Sequence, residues 1–411
     1  MSEATPRGGR AVFRFHDYRA YVSSRFLWTL GLQIQNVAVA WLVYSITNDP
    51  FALGLIGLCA FIPAVPLSLV TGPTADRFDR RIILIVSCVV MAVGSGILTA
   101  LLLAGAIEPA RMWPVYATVT LVGAARAFAN PAGQALLTNL VPDDEFPSAV
   151  AWNNSTNQMA SVGGPALGGL LFPFGTMVPF IVAFACFILA VLITVTIRTR
   201  PPRAEKIRAT WSVIVAGYKF IWSRPVILGA ITLDLVAVLL GGATALLPIF
   251  AKDIFETGPW GLGVLRSMAA IGSICAALVL ANYPLRGHVG RTMFICVIIY
   301  GCCTIGFGLS THIIPAALFL LVLGAADMVS VVIRQSLIQI ETPNEMRGRV
   351  MAVHTILTGT SNQLGEFESG TLAYFIGAVP TVLFGGASAI VASLLWMRLF
   401  PDLRRREKIS G

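Results

Sequence analysis

Long apolar stretches, many of more than 20 residues, alternate with short clusters of charge along this 411-residue chain. A helix that crosses the hydrocarbon core of a bilayer needs about 20 apolar residues. Helices also satisfy their own backbone hydrogen bonds there. The sequence therefore predicts an all-α membrane protein with twelve transmembrane helices, at about 21–46, 51–71, 82–105, 113–138, 148–172, 177–198, 225–251, 260–282, 292–310, 314–340, 350–373 and 378–399.

Composition excludes the soluble alternatives. Asp, Glu, Lys and Arg make up 12% of the chain and hydrophobic residues 56%, whereas a soluble protein carries roughly 25% charged residues. So few polar residues cannot cover a globule in water. The net charge of +9 would suggest nucleic acid as a partner of a soluble chain, but here the cations lie in the gaps between spans, so we expect no nucleic acid.

The distribution of cations predicts the orientation. With both termini inside, 23 of the 29 Lys and Arg residues fall on the cytoplasmic side, and only Arg111 and Lys252 fall outside. Cytoplasmic loops are the ones that collect Lys and Arg. We therefore expect a multi-pass protein of the inner (plasma) membrane with both termini in the cytoplasm.

An internal repeat predicts two pseudo-symmetric six-helix bundles. A shift of 201 residues places Gly123-Ala-Ala on Gly324-Ala-Ala, and the same shift pairs Pro142 with Pro343. Repeats of this kind are typical of secondary transporters. The Pro- and Arg-rich stretch 199–224 reads as a cytoplasmic linker between bundles at 1–198 and 225–411. We expect a monomer.

The sequence lacks the residue patterns that a nucleotide-binding loop or a zinc site requires. None of the four lysines follows a glycine, so there is no nucleotide-binding Gly-Lys-Ser/Thr loop. The four histidines are too scattered for a His-Glu-x-x-His zinc site. We therefore expect neither an enzyme nor a metal site, and no cofactor.

Three motifs occupy the first half. After helix two comes a short turn with a small residue first, then an acid and then several arginines, Gly72-Pro-Thr-Ala-Asp76-Arg77-Phe-Asp-Arg80-Arg81. Arg126 lies well inside helix four, where a cation is expensive and should face a cavity or a partner. Helix five contains Gly164-Pro165 followed by Gly168-Gly169, which creates a bend and a close-packing face.

These motifs resemble motifs A, B and C of the major facilitator superfamily, although Thr74 and Asp79 depart from the usual motif A. Pro343-Asn-Glu-Met-Arg347-Gly-Arg349 and Asn362-Gln-Leu-Gly-Glu366 are similar to the branch of enterobactin exporters and transmembrane secretion effectors. The resemblance implies alternating access, a gate at the cytoplasmic end formed by Gly72, Asp76, Arg77, Arg80 and Arg81, and an antiporter-like motif at Gly164, Pro165, Gly168 and Gly169.

Polar side chains repeat at helical spacing inside several spans, as a water-filled cavity requires. A carboxylate among them could carry a proton, with Asp234, Asp327 and Glu366 as candidates. A static Asp–Arg pair between the two halves is the alternative. One hypothesis places Arg126 opposite Asp327. The candidate substrate and proton-coupling residues are Arg25, Gln33, Asn36, Arg126, Asn130, Asp234, Asp327, Arg334, Asn362 and Glu366.

The sequence favours a proton-coupled exporter of small amphipathic molecules such as drugs, siderophores or metabolites. Its partners would be that substrate, protons and the lipid bilayer. The alternatives are an importer of a small anionic nutrient in the same fold and a membrane receptor or scaffold that has lost transport. Substrate identity does not follow from the fold, because one fold serves unrelated substrates.

Overall fold

The computed structural model describes residues 11–142, 144–199, 211–283 and 287–406. Inside these ranges, the side chains of 64, 65, 68, 69, 72, 73, 75–77, 211–214, 243 and 344 are not described.

A helix lies in each of the twelve predicted spans. The six of the first half are α1 (His16–Thr47), α2 (Pro50–Arg77), α3 (Arg80–Leu103), α4 (Trp113–Leu137), α5 (Phe146–Leu170) and α6 (Val178–Val195). After the linker helix α7 (Trp211–Trp222) come α8 (Pro225–Leu240), α9 (Gly258–Asn282), α10 (Val289–Gly308), α11 (Ile313–Glu341), α12 (Asn344–Ile376), α13 (Ala378–Leu399) and the short α14 (Pro401–Arg405).

Eight described helical stretches are long and apolar enough to cross a membrane by length and composition. They are α1, α3, α6, α8 with its continuation to Ile254, α9, α10, α11 and α13. The other predicted spans fall on α2, α4, α5 and α12. Polar residues lower the hydropathy of α5 and α12 in particular, through runs such as Asn153-Asn-Ser-Thr-Asn157. Less apolar spans of this kind are expected where a helix lines a cavity instead of lipid.

The seventh span is not the continuous helix that the sequence predicts over 225–251. Helix α8 ends at Leu240, and Gly241 and Gly242 follow it. A methyl group at Gly242 would lie 2.7 Å from the carbonyl oxygen of Gly365, so glycine allows a close approach to α12 here. The chain then continues as short helical pieces that end in a π-helix at Phe250–Ile254.

The predicted linker contains a helix of its own. Helix α7 packs on α12, and a methyl group at Gly217 would lie only 2.7 Å from the carbonyl oxygen of Arg349. The region predicted as a linker thus includes a helix that packs on the second half of the chain.

Two compact units make up the chain. The first comprises 1–39 and 62–209, and the second comprises 40–61 and 210–411. The end of α1 and the beginning of α2 therefore belong to the second unit, although they lie in the first half of the sequence. The predicted boundaries of the two six-helix bundles stay a prediction.

Each unit has its own apolar core. In the first, Tyr18, Met91, Leu136 and Phe187 are almost completely buried, and α3 packs against α4 and α6. In the second, α9 and α10 pack against α11, and α13 packs against α10. These helices hold the polar residues of the candidate site in place.

Candidate transport site

A buried ion pair joins two helices of the second unit. Nη1 of Arg334 on α11 lies 2.5 Å from Oδ1 of Asp234 on α8, and the two side chains are 3% and 8% exposed. A charge at this depth is costly unless it is paired and hydrogen-bonded. The sequence raised a static Asp–Arg pair between the two halves as an alternative to proton coupling, whereas both members of this pair belong to the second half of the chain.

A second carboxylate lies beside this pair. Asp327, two turns before Arg334 on α11, is within electrostatic reach of both members of the pair. Asp327, Asp234, Tyr300 and Ser330 line a small cavity of about 20 Å³, which has room for one water molecule. One arginine faces two carboxylates here, so ionisation of both would leave one negative charge without a counter-ion, which a proton or a cation would neutralise.

Helix α12 passes close to the same cluster. His354 is 5% exposed, its Nε2 is buried without a hydrogen-bond partner among the described residues, and it lies within electrostatic reach of Arg334. Further along α12, Asn362 is exposed and donates a hydrogen bond to the Thr358 carbonyl within its own helix. An exposed amide inside a span is suited to contact water or a substrate.

Glu366 lies at another contact between helices of the second unit. Its charge acts on Arg266 of α9, a half-buried arginine within a predicted span. A methyl group at Gly57 would lie 2.7 Å from the Glu366 Cβ, so α2 approaches α12 closely at this point. Glu366 is thus packed between helices.

The first unit holds a buried arginine of a different kind. The Arg25 guanidinium stacks over the ring of Trp28, with its Cζ 4.2 Å from the ring centroid. Its Nε and Nη1 are buried and have no hydrogen-bond partner in the part of the chain that the structure describes. Cation–π contact offsets part of the cost of this burial, but the side chain retains donors that an anion could accept.

The remaining polar residues of the first unit are partly engaged with one another. Asn36 donates to the Oε1 of Gln33 at 3.2 Å, and Thr29 donates to Oδ1 of Asn157 on α5 at 2.9 Å. Arg126 is half-buried on α4, and Asn130, one turn further on, is exposed. Part of the predicted polar face of α1 is thus already hydrogen-bonded within the first unit.

The antiporter-like motif packs α5 against α1. Gly164, Pro165, Gly168 and Gly169 are all buried. A methyl group at Gly164 would lie 2.5 Å from the Gln33 Cβ. The motif's small residues therefore set how closely the Gln33 face of α1 approaches α5.

Two neighbouring glycines of α5 provide a matched test of this packing. We expect Gly164→Ala to lower stability by about 1–3 kcal/mol through overpacking, whereas Gly163→Ala, which has no atom within 4 Å of the added methyl group, should not. Unfolding temperatures in detergent measure both variants. Equal unfolding temperatures for the two variants would contradict the role of Gly164 in close packing.

The basic end of the predicted gate is bonded within the first unit. Arg80 Nη1 donates to the carbonyl of Ala135 at 2.8 Å, and Arg81 Nη2 donates to that of Val195 at 2.6 Å. Asp79, a departure from the usual motif, caps α3 by accepting from the Arg81 backbone amide. The side chains of Gly72, Asp76 and Arg77 lie outside the described residues, so their gating role stays a prediction.

Charges inside the predicted spans are unequally distributed between the two halves of the sequence. The predicted spans of the first half contain Arg25 and Arg126 and no carboxylate, while Asp234, Asp327 and Glu366 all lie in the second half. The structure adds Tyr300 and His354 to the carboxylate cluster. The sequence analysis missed both, because one tyrosine or histidine in a span looks the same whether it packs against lipid or against a charge.

Comparison with known proteins is consistent with this architecture. The sequence model of a family described as transmembrane secretion effectors matches residues 9–409. The Staphyloferrin A transporter of Staphylococcus aureus is 23% identical over 380 residues, which cover 92% of this chain and 94% of that protein. The multidrug efflux pump Tap of Mycolicibacterium fortuitum is 25% identical over 374 residues, or 86% and 88% of the two chains.

A solved structure shows the same fold. The crystal structure of a bacterial homologue of the human lysosomal transporter Spinster superposes with a TM-score of 0.75, at 14% identity, over 95% of this chain and 98% of that one. The twelve-helix all-α membrane fold predicted from the sequence is confirmed.

Proposed function

We propose, from the premise that this chain belongs to the transmembrane secretion effector family of the major facilitator superfamily, that it exports small amphipathic molecules in exchange for protons. The family and fold are those of membrane transporters of small molecules, not of enzymes. The family resemblance predicted from the motifs is confirmed. Direction, coupling ion and substrate are the parts that we propose.

Export is the direction that we favour. One relative is named as an efflux pump, and the close packing of α5 on α1 through Gly164 and Gly168 fits the antiporter-like reading of that motif. Substrates of the drug or siderophore type are consistent with the names of the two relatives. We further propose a plasma-membrane location with both termini in the cytoplasm and a monomeric transporter that works by alternating access.

Proton coupling is supported by one observation above all. Asp327 lines a cavity beside the Asp234–Arg334 pair and has no ion-pair or hydrogen-bond partner of its own among the described residues. Because Arg334 already contacts Asp234, Asp327 is the carboxylate that remains to be neutralised. Intramembrane carboxylates in transporters commonly belong to proton or ion pathways. We propose that Asp327 binds the coupled proton.

The conservative variant Asp327→Asn tests this role. Metabolite and toxin profiling of cells with and without the gene would first supply a substrate, which is then studied in proteoliposomes. We expect Asp327→Asn to reduce transport driven by a pH gradient at least tenfold, because an amide cannot take up and release the proton. Substrate counterflow, which needs no net proton movement, should persist.

Glu341→Gln is the matched control. Glu341 ends the same helix and forms an ion pair with Arg406 away from the cavity, so its loss should leave proton coupling unchanged. Loss of coupling in both variants, or in neither, would contradict the assignment of Asp327. The dependence of transport by the unmodified protein on a pH gradient tests the proposed function itself.

An importer of a small anionic nutrient is the second candidate. The buried, unpartnered nitrogens of Arg25 favour an anionic group on the substrate, whichever the direction. Oriented vesicles distinguish the two directions, since an exporter accumulates substrate only in inside-out vesicles. Accumulation in right-side-out vesicles would overturn our first choice.

A further inference from the structure

A polar cleft opens at one end of the first unit. It lies where α1 and α3 begin and α6 ends, and has a volume of about 530 Å³, within the range of about 300–1,000 Å³ of ligand pockets. Its lining residues are His16, Arg81, Val195, Thr196, Ile197 and Arg198. Two arginines and a histidine supply the side-chain chemistry of the cleft.

Exposed basic side chains of this cleft can bind an anion. Arg81 is already partly engaged, since its Nη2 donates to the Val195 carbonyl. Arg198 and His16 are exposed. The neighbouring carboxylate, Asp17, accepts hydrogen bonds from the Thr199 hydroxyl and from the backbone amides of Thr199 and Arg198, besides contacting His16.

Apolar stripes lead from the membrane interior towards the cleft. On α3 the exposed residues Ile82, Val86, Val89 and Val93 share one face. On α6, which packs against α3, Phe184, Leu192 and Val195 are exposed in the same way. Exposed apolar faces of this extent on a membrane protein contact acyl chains.

We infer that this cleft binds the headgroup phosphate of an anionic phospholipid, whose acyl chains lie along the exposed faces of α3 and α6. The cleft lies on the side that the cation count predicts to be cytoplasmic. Basic pockets between transmembrane helices on that side suit anionic headgroups. This inference does not depend on the proposed direction, substrate or coupling ion.

Lipid titration of the full-length protein tests the site. Protein depleted of lipid in detergent is titrated with phosphatidylglycerol, phosphatidylcholine or inorganic phosphate, and binding is followed by native mass spectrometry and by the unfolding temperature. We expect saturable binding of phosphatidylglycerol with an increased unfolding temperature. Phosphatidylcholine should bind more weakly, and inorganic phosphate should not reproduce the stabilisation.

Variants locate the binding within the molecule. Arg198→Gln should weaken phosphatidylglycerol binding about fivefold, as expected for one surface cation, and Arg81→Gln should do so by at least as much. Arg291→Gln removes an exposed arginine at the start of α10, on the same predicted side, and should bind like the unmodified protein.

Three outcomes would overturn the inference. Equal binding by Arg198→Gln and Arg291→Gln would mean that the effect is one of overall charge. Equal stabilisation by inorganic phosphate would mean that the cleft binds a free anion. Equal binding of phosphatidylcholine would mean that the headgroup charge is not recognised. Because Arg81→Gln can also loosen the end of α6, the assignment rests on the exposed Arg198 variant.

Discussion

Replacing Arg334 with glutamine should destabilise the protein by about 3–5 kcal/mol at neutral pH, the cost of breaking a buried ion pair. The variant leaves Asp234 at 8% exposure without the guanidinium that lies 2.5 Å away. It also leaves Asp327 within reach of a second uncompensated carboxylate. Denaturation in mixed micelles, with the free energy of unfolding as the measured quantity, detects an effect of this size.

The double variant Asp234→Asn/Arg334→Gln separates the charge effect from the packing effect. It removes both charges at similar volume, and such replacements are often close to neutral, so we expect most of the lost stability to return. The more exposed pair Glu341–Arg406, with side chains 23% and 31% exposed, is the control, and Glu341→Gln should cost clearly less than Arg334→Gln because water screens this pair better. Equal costs for Arg334→Gln and Glu341→Gln would contradict a structural role for the buried pair.

The fold was predictable because a bilayer restricts the chain to few solutions. Apolar length placed each of the twelve spans, and the helices begin and end close to the predicted residues. The break after Leu240 was missed. Glycines at 241 and 242 are compatible with a continuous membrane helix, and the close approach of Gly365 from α12 to Gly242 is a long-range contact that no local pattern reveals.

The sequence predicts which charged residues lie inside the spans, but it does not predict which of them pair with each other. Charged residues are rare within apolar spans, so Asp234, Asp327 and Arg334 could all be selected as candidates from the sequence. Their pairing was not, because Asp234 and Arg334 are 100 positions apart and no local pattern links α8 to α11. The hypothesis that Asp327 faces Arg126 rests on their equivalent positions in the repeat, and it stays a prediction.

The hairpin between α1 and α2 shows a second long-range contact that the sequence does not reveal. Within the second unit, the Tyr44 hydroxyl donates a hydrogen bond to Asp253 of the π-helix. Lys252 donates to the Asn48 side chain at 2.5 Å and to the Ser45 carbonyl at 3.2 Å. These bonds tie residues of the first sequence half to residues of the second, and π-helices often occur at functional sites.

Two glycines also allow the backbones of α2 and α12 to approach each other closely. A methyl group at Gly370 of α12 would lie 2.5 Å from Gly54 Cα and 2.6 Å from Gly54 N on α2. Because all of these are backbone atoms, no side-chain rotation can make room. A methyl group at Gly370 would therefore push the hairpin away from α12 and weaken its docking there.

We therefore expect Gly370→Ala to weaken docking of the hairpin by about 1–3 kcal/mol, the usual cost of overpacking, which corresponds to a shift of about 5- to 150-fold in population. Hydrogen exchange of the 250–257 amides should accelerate accordingly. Gly348→Ala, on the same helix with no atom within 4 Å of the new methyl group, should exchange like the unmodified protein. If Gly370→Ala keeps full protection at 250–257, the glycine contact does not control docking, and the Tyr44–Asp253 and Lys252–Asn48 bonds alone must hold the hairpin.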